Sequence, residues 1–250
     1  MVAAIIGGTG VYDIPGVESE EVVIDTEYGQ TAVYKGLGDA SDLIFMARHG
    51  VFHNVPPHKV NYRANIKALQ LCGVKRVVAL FAVGSMSEKF PPLDLVALDD
   101  FLDFTHSRQS TFFEEIESGV GHVEMSAPFN AMLRQKMVAL GPKFDIRVHD
   151  GGVYVGFNGP RFESPAEIRA ARMLGGEVTG MTCLPEVVLA AELGLSYAAL
   201  ALPINWAAGM NSEIELVEEG AAEARKKMIR VALETLRTTS DDDCVETRIL

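Results

Sequence analysis

Basic residues are scarce in this chain. Among 250 residues there are 22 Lys/Arg against 34 Asp/Glu, a formal net charge of −12. Nucleic acid is held mainly through Lys/Arg contacts to phosphates, so this balance argues against a nucleic-acid partner. A small anion needs only a local positive spot and is not excluded. Cysteine is equally sparse: Cys72, Cys183 and Cys244 form no CxxC and fit no metal-ligand spacing. They read as reduced thiols in a reducing compartment, with no metal site. The first residues, MVAAIIGGTG, lack the basic segment that opens a signal peptide. No apolar run is long enough for a membrane span, and no Pro/Gly/Ser-rich linker, repeat or low-complexity segment interrupts the chain. The expectation is a soluble, cytoplasmic protein with one domain over 1–237 and a polar tail, 238–250, that frays.

Apolar residues make up 48% of the sequence, enough for a substantial core. Val2–Ile6, Leu43–Ala47, Arg76–Val83, Val153–Phe157 and Tyr197–Ile204 read as buried strands. Helical patterns fall between them, over Val60–Leu71, Pro128–Leu140 and Glu186–Glu192. Ser164-Pro165-Ala166-Glu167 fits a capping box, with Ser164 as N-cap and Glu167 reaching back. Ser212-Glu213-Ile214-Glu215 looks like a second box, opening a long helix to Leu236. Strands alternating with helices imply an α/β fold with a parallel or mixed sheet. Ligands gather where such strands end. Four strand ends carry polar or glycine-rich turns, at 7–10, 48–50, 82–85 and 205–209.

Each of these turns has a functional and an ordinary reading. Gly7-Gly8-Thr9-Gly10 would let backbone N–H groups approach an anion, with Thr9 adding a hydroxyl. It is neither a Walker A loop nor a complete GxGxxG, and a tight turn without a ligand has the same residues. Arg48 closes an apolar strand and offers a fork that matches phosphate, with His49 as a further donor. It could equally pair with a carboxylate. Asn205 ends a buried strand, and its amide can donate and accept at once, which suits a purine edge carrying N7 and O6. The same amide could cap its own turn. Glu163 is spare to the capping box. As a pure acceptor it matches the N1–H of hypoxanthine or guanine and repels the bare N1 of adenine. Alternatively it is a solvated acid near a helix N-terminus.

In order along residues 3–235, the blocks IIGGTG, ARHG, VNYRAN, AVGS, GPRFESPAE, GMTCLPEVVLA and NWAAG resemble the trimeric nucleoside phosphorylases. That family includes purine nucleoside and methylthioadenosine phosphorylases. The resemblance implies a single-domain α/β fold, with a mixed, partly barrel-like sheet flanked by helices, and three subunits or a dimer of trimers. By motif position Thr9, Arg48, His49, Ala82 and Thr182 correspond to phosphate ligands. Val83, Gly84, Phe162, Thr179, Met181 and Ala207 fall at nucleoside-binding positions. Phe162 resembles the ring packed on the purine, and Met181 the residue under the ribose. His122 matches a position that reaches a neighbouring subunit's site near the sugar 5′ substituent. Inorganic phosphate would be the co-substrate, with no cofactor and no metal.

Departures from the family pattern select the base. Methylthioadenosine phosphorylases carry Asp at the positions of Asn205 and Ala207 and Ser at that of Glu163. Here Asn205 and Glu163 form the 6-oxopurine set and are assigned as the catalytic pair. Phe81 replaces a hydroxyl residue common in the adenine-specific group. No His follows His149 to bind a 5′-hydroxyl, and Ile214, Leu216 and Val217 are apolar. The resemblance therefore implies phosphorolysis of inosine or guanosine in purine salvage, with 5′-methylthioinosine, then methylthioadenosine, as alternative substrates. A hydrolytic nucleosidase, a nucleotide-binding oxidoreductase and a non-catalytic purine-binding module are the competing classes.

Overall fold

The computed structural model describes residues 2–114, 121–240 and 249. Gly119-Val120 ahead of His122, Cys244 and the acidic run 241–243 lie outside the described residues.

Four parallel strands form the middle of the sheet. They are β1 (Val2–Gly7), β4 (Leu43–Ala47), β5 (Val74–Ser85) and β11 (Ser196–Trp206). β1 pairs with β4 on one side and β5 on the other, and β5 pairs in parallel with β11. Their residues are mostly apolar, and nearly all are buried, as a strand covered on both faces requires.

The sheet extends from this centre in both directions. A hairpin of β2 (Ser19–Thr26) and β3 (Gly29–Gly36) adds to β4. Residues 19–36 carry apolar runs of only three residues, Val22–Ile24 and Ala32–Tyr34, and no residue of β2 is buried, so hydrophobic periodicity does not announce this hairpin. Short strands β6 (Leu95–Ala97), β7 (Asp100–Asp103), β8 (Val148–Asp150), β9 (Val153–Gly156) and β10 (Val178–Gly180) complete it. The order is β2-β3-β4-β1-β5-β10-β9-β7, with β11, β6 and β8 branching from β5. The sheet is mixed, as the resemblance implies. It branches at β5, and among the described residues no pairing joins its ends into a closed barrel.

Helices cover both faces. α1 (Tyr62–Leu71) starts two residues after Val60, with Asn61 as N-cap, and α4 (Glu186–Glu192) has the expected bounds. α2 (Ala131–Leu140) begins behind the Asn130 cap. α3 (Pro165–Met173) carries the capping box read from the sequence, with both reciprocal hydrogen bonds formed. α5 (Ala221–Arg237) does not start at Ser212. Gly220 precedes it with φ of +80°, a left-handed conformation that breaks a helix running in from Ser212. Residues 212–218 instead pass across the sheet edge, held by Val217 N–H donating to the Ile204 carbonyl at 2.7 Å. Behind α5, Thr239 Oγ1 donates to the Thr235 carbonyl at 2.6 Å. Beyond Ser240 the tail, apart from Ile249, lies outside the described residues. No helix among them is long and apolar enough to cross a membrane.

Candidate active site

Because β1, β4, β5 and β11 are parallel neighbours, their C-terminal ends lie along one edge. The four polar turns therefore meet around one cavity of about 450 Å³. Thr9 comes from the first turn, His49 from the second, Ala82, Val83 and Gly84 from the third, and Asn205 and Ala207 from the fourth. The segment after β9 supplies Phe162 and Glu163, β10 itself Thr179, and the segment after β10 Met181 and Thr182. Two residues assigned from sequence, Arg48 and His122, do not line it.

One end of the cavity is organised around Gly84. In register, Gly84 faces Thr179 of β10 and Asn205 of β11. A Cβ at Gly84 would come within 3.2 Å of both Asn205 Nδ2 and Thr179 Cγ2. On the far side of Thr179, its hydroxyl donates to Glu163 Oε1 at 3.0 Å. Thus Asn205, Gly84, Thr179 and Glu163 form a contiguous wall. The β11–β5 register shifts between Pro203 and Asn205, so Ile204 is an extra residue. This bulge brings the adjacent residues Ile204 and Asn205 both to the cavity, where a regular strand would alternate them. Asn205 is thus part of β11, one residue beyond the expected strand end. Its Nδ2 donates to the Trp206 carbonyl at 2.8 Å, so it does brace its own turn. Oδ1 and the second N–H of the amide remain for a ligand.

Glu163 is not a solvated acid. It is only 6% exposed, and burial raises its pKa above the usual 4.5, against hydrogen bonds from its own backbone and from Thr179 that favour the anion. The α3 cap does not use it: Glu167 accepts from the Ser164 amide at 2.7 Å and is clamped by Arg161. Phe162, 51% exposed, stands beside it at the cavity rim.

The cavity is also lined by Thr9, Thr182 and His49. Thr182 is positioned by Tyr154, whose buried hydroxyl oxygen accepts from the amides of Thr182 at 3.1 Å and Cys183 at 3.4 Å. Burial and the adjacent Arg48 charge depress His49 to a pKa of about 4. His49 Nδ1 lies 2.8 Å from the Val55 carbonyl, which can only accept. The neutral ring therefore carries its proton on Nδ1, and Nε2 keeps its lone pair.

Arg48 lies outside this lining. Its Nε and Nη2 donate to Glu186 at 2.6 and 2.7 Å, and Nη1 donates to the Leu80 carbonyl at 3.1 Å. Tyr197 Oη also donates to Glu186, at 2.6 Å. Burial alone would lower the Arg48 pKa, but the Glu186 carboxylate overrides it and holds the guanidinium above its ordinary range. Phe81 does not enter the cavity; its ring packs 4.4 Å from the Arg48 guanidinium carbon. Glu186, the partner of Arg48, carries no motif signal beyond its place in the LPEVV run.

The lining also includes residues that sequence reading passed over. His53, Asn54, Val55, Pro56 and Pro57 form a wall from the loop after β4. A histidine and two adjacent prolines just after a candidate anion turn are the only cue the sequence offers. Ile214 and Leu216, already singled out in the sequence as apolar, line the cavity too, from the segment expected to be helical. His122 is exposed on the surface.

Residues 2–237 match the Phosphorylase superfamily. The chain is 50% identical to a probable 6-oxopurine nucleoside phosphorylase of Moorella thermoacetica, over 84% of this chain and 81% of the relative. It is 43% identical to a probable S-methyl-5′-thioinosine phosphorylase of Xanthomonas campestris, over 85% and 86% of the two chains. In structure it resembles the methylthioadenosine phosphorylase of Schistosoma mansoni in its apo form, with a TM-score of 0.87 and 30% identity, covering 94% of this chain and 90% of that one. With a matched region of this extent and relatives this similar, the chain belongs to the phosphorylase superfamily.

Proposed function

We propose that this protein cleaves the N-glycosidic bond of 6-oxopurine nucleosides with inorganic phosphate, giving the free base and ribose 1-phosphate. The observation that carries the reading is the wall of Asn205, Gly84, Thr179 and Glu163 within one cavity. A buried acceptor and a free amide edge there complement the N1–H, O6 and N7 of hypoxanthine or guanine. Phosphorylases of the two relatives named for 6-oxopurine and thioinosine substrates support the same base.

In the reaction, a phosphate oxygen bonds to C1′ as the C1′–N9 bond breaks. The bond's electron pair leaves with the purine. Glu163 fixes the base through N1–H. Asn205 donates its free Nδ2–H to O6 as negative charge builds on the ring; the departing purine anion takes a proton from solvent at N7, and Oδ1 accepts from that N–H. Thr9, His49, Thr182 and the Ala82 backbone hold phosphate, while Arg48 supports it from behind the glycine turn. Because His49 presents a lone pair, the hydroxyl of the bound hydrogen phosphate donates a hydrogen bond to Nε2 and keeps its proton. The rate comes from positioning and preorganised dipoles, without a covalent enzyme intermediate, a cofactor or a metal. Phe162 packs on the base and Met181 under the sugar, with Val83 and Ala207 completing the nucleoside pocket. The same reading makes the protein a cytoplasmic purine-salvage enzyme and a homotrimer or dimer of trimers, with the exposed His122 reaching a neighbour's site.

A second reading, 5′-methylthioinosine as substrate, is favoured by one observation. Val55, Pro57, Ile204, Ile214 and Leu216 give the cavity an apolar flank. Inosine, guanosine, adenosine and 5′-methylthioinosine, each assayed with and without phosphate, test both readings. Phosphate-dependent release of hypoxanthine and guanine, with adenosine refused, is the expected pattern. A kcat/KM for methylthioinosine far above that for inosine selects the second reading. Release from adenosine as fast as from inosine sinks both.

A further inference from the structure

The glycine turn after β1 is packed between two guanidinium groups. A Cβ at Gly8 would lie 3.1 Å from Nη1 of Arg48. At Gly10, which has φ of +82°, it would lie 2.7 Å from Nε and 3.1 Å from Cζ of Arg225. Arg48 touches the turn from the core side and Arg225, in the second turn of α5, touches it on the solvent side, since Gly10 is exposed and Arg225 half-buried.

The two cations differ in what neutralises them. Arg48 is committed to the Glu186 carboxylate and the Leu80 carbonyl. Arg225 forms no hydrogen bond or ion pair among the described residues, and its Nε is buried without a partner. In a chain with 34 acidic residues, an unpaired guanidinium held against a backbone turn is unusual. A buried N–H donor without a partner is unfavourable until an acceptor arrives, and on a guanidinium that acceptor is best an anion. Thr9, the neighbour of Gly10, lines the cavity.

We propose that Arg225 is the uncompensated positive charge of the anion subsite, a positioning residue that draws inorganic phosphate to the Thr9–Gly10 turn. The proposal rests on the reading of that subsite as a phosphate site. It explains how a chain of net charge −12 attracts an anion when Arg48 is already paired with a carboxylate. Gly10 is then glycine both for its left-handed backbone and because a side chain would displace the guanidinium.

The test is calorimetric titration of inorganic phosphate into the full-length wild type, R225M and R225K, at low and high salt, with phosphate KM and kcat measured alongside. Met keeps the helix and the stem; Lys keeps the charge. The expected result is about a tenfold weaker phosphate Kd in R225M at low salt, recovery of most of the loss in R225K, and a gap that narrows at high salt. In kinetics the loss falls more on phosphate KM than on kcat. A phosphate Kd in R225M within twofold of wild type overturns the proposal, as does R225K binding no better than R225M. Weakened phosphate binding in R225M with no nucleoside cleavage by wild type would leave the proposal standing and refute the phosphorolysis reading instead. A wild type that binds no phosphate overturns both.

Discussion

Glu163 is buried where its charge is unfavourable, and that cost is the signature of a residue kept for binding. Its folded pKa lies above its unfolded value, so the folded chain binds protons more readily. The stabilisation is complete below pH 4.5 and is lost as pH rises through the folded value. Glu163→Gln is therefore expected to raise the melting temperature of the ligand-free protein at pH 8, with little change at pH 4. Calorimetric melts at the two pH values check this, and an unchanged melt at pH 8 contradicts it. His49 works in the opposite sense. Its folded pKa of about 4 lies below the ordinary 6.5, so its contribution is complete above pH 6.5 and lost as pH falls toward 4. Stability should drop across that window more steeply in wild type than in His49→Gln, read from urea midpoints. In the proposed reaction Asn205 holds the leaving base, so Asn205→Ala should lower turnover of inosine by about 10²–10³, with an unchanged circular dichroism spectrum. Near-wild-type turnover would remove Asn205 from the mechanism.

Between elements, the ion pair of Arg48 and Glu186 ties the end of β4 to the start of α4, and Tyr197 ties both to β11. Both charged side chains are essentially inaccessible, at 0% and 1% exposure. Removing one partner leaves the other buried and uncompensated, so Glu186→Ala should cost about 3–5 kcal/mol of stability, measured by chemical denaturation. A loss below about 1 kcal/mol would place water at the pair, as at a surface bridge. The elements also show what local sequence can and cannot specify. Ser164 and Ser212 both begin an S-x-x-E pattern. At Ser164, Pro165 and the i+3 Glu167 agree with the tertiary packing of α3, and the box forms. At Ser212 the same signal loses: Ile214 and Leu216 line the cavity and Val217 bonds β11, so the chain stays out of helix until Gly220. The bulge at Ile204 was equally hidden, because it depends on the pairing with β5 and not on any residue type in β11.

Across the molecule, the sequence marked the ends of four strands but not their adjacency. Apolar runs located β1, β4, β5 and β11, and their parallel pairing put Thr9, His49, Gly84 and Asn205 around one cavity. Runs short in apolar residues, such as the β2–β3 hairpin, gave no signal, since its stability comes from pairing more than burial. The loop over 53–57 and the contact of Arg225 with Gly10 were invisible for a related reason: each joins segments far apart in sequence that meet only in the fold. The proposed reaction requires phosphate as the attacking group, and the sugar product reports that directly. Inosine should be turned over with phosphate in excess and the sugar product quantified against hypoxanthine. The account predicts one ribose 1-phosphate for each hypoxanthine and no release when phosphate is left out. Free ribose as the product, or release at the same rate without phosphate, would contradict it.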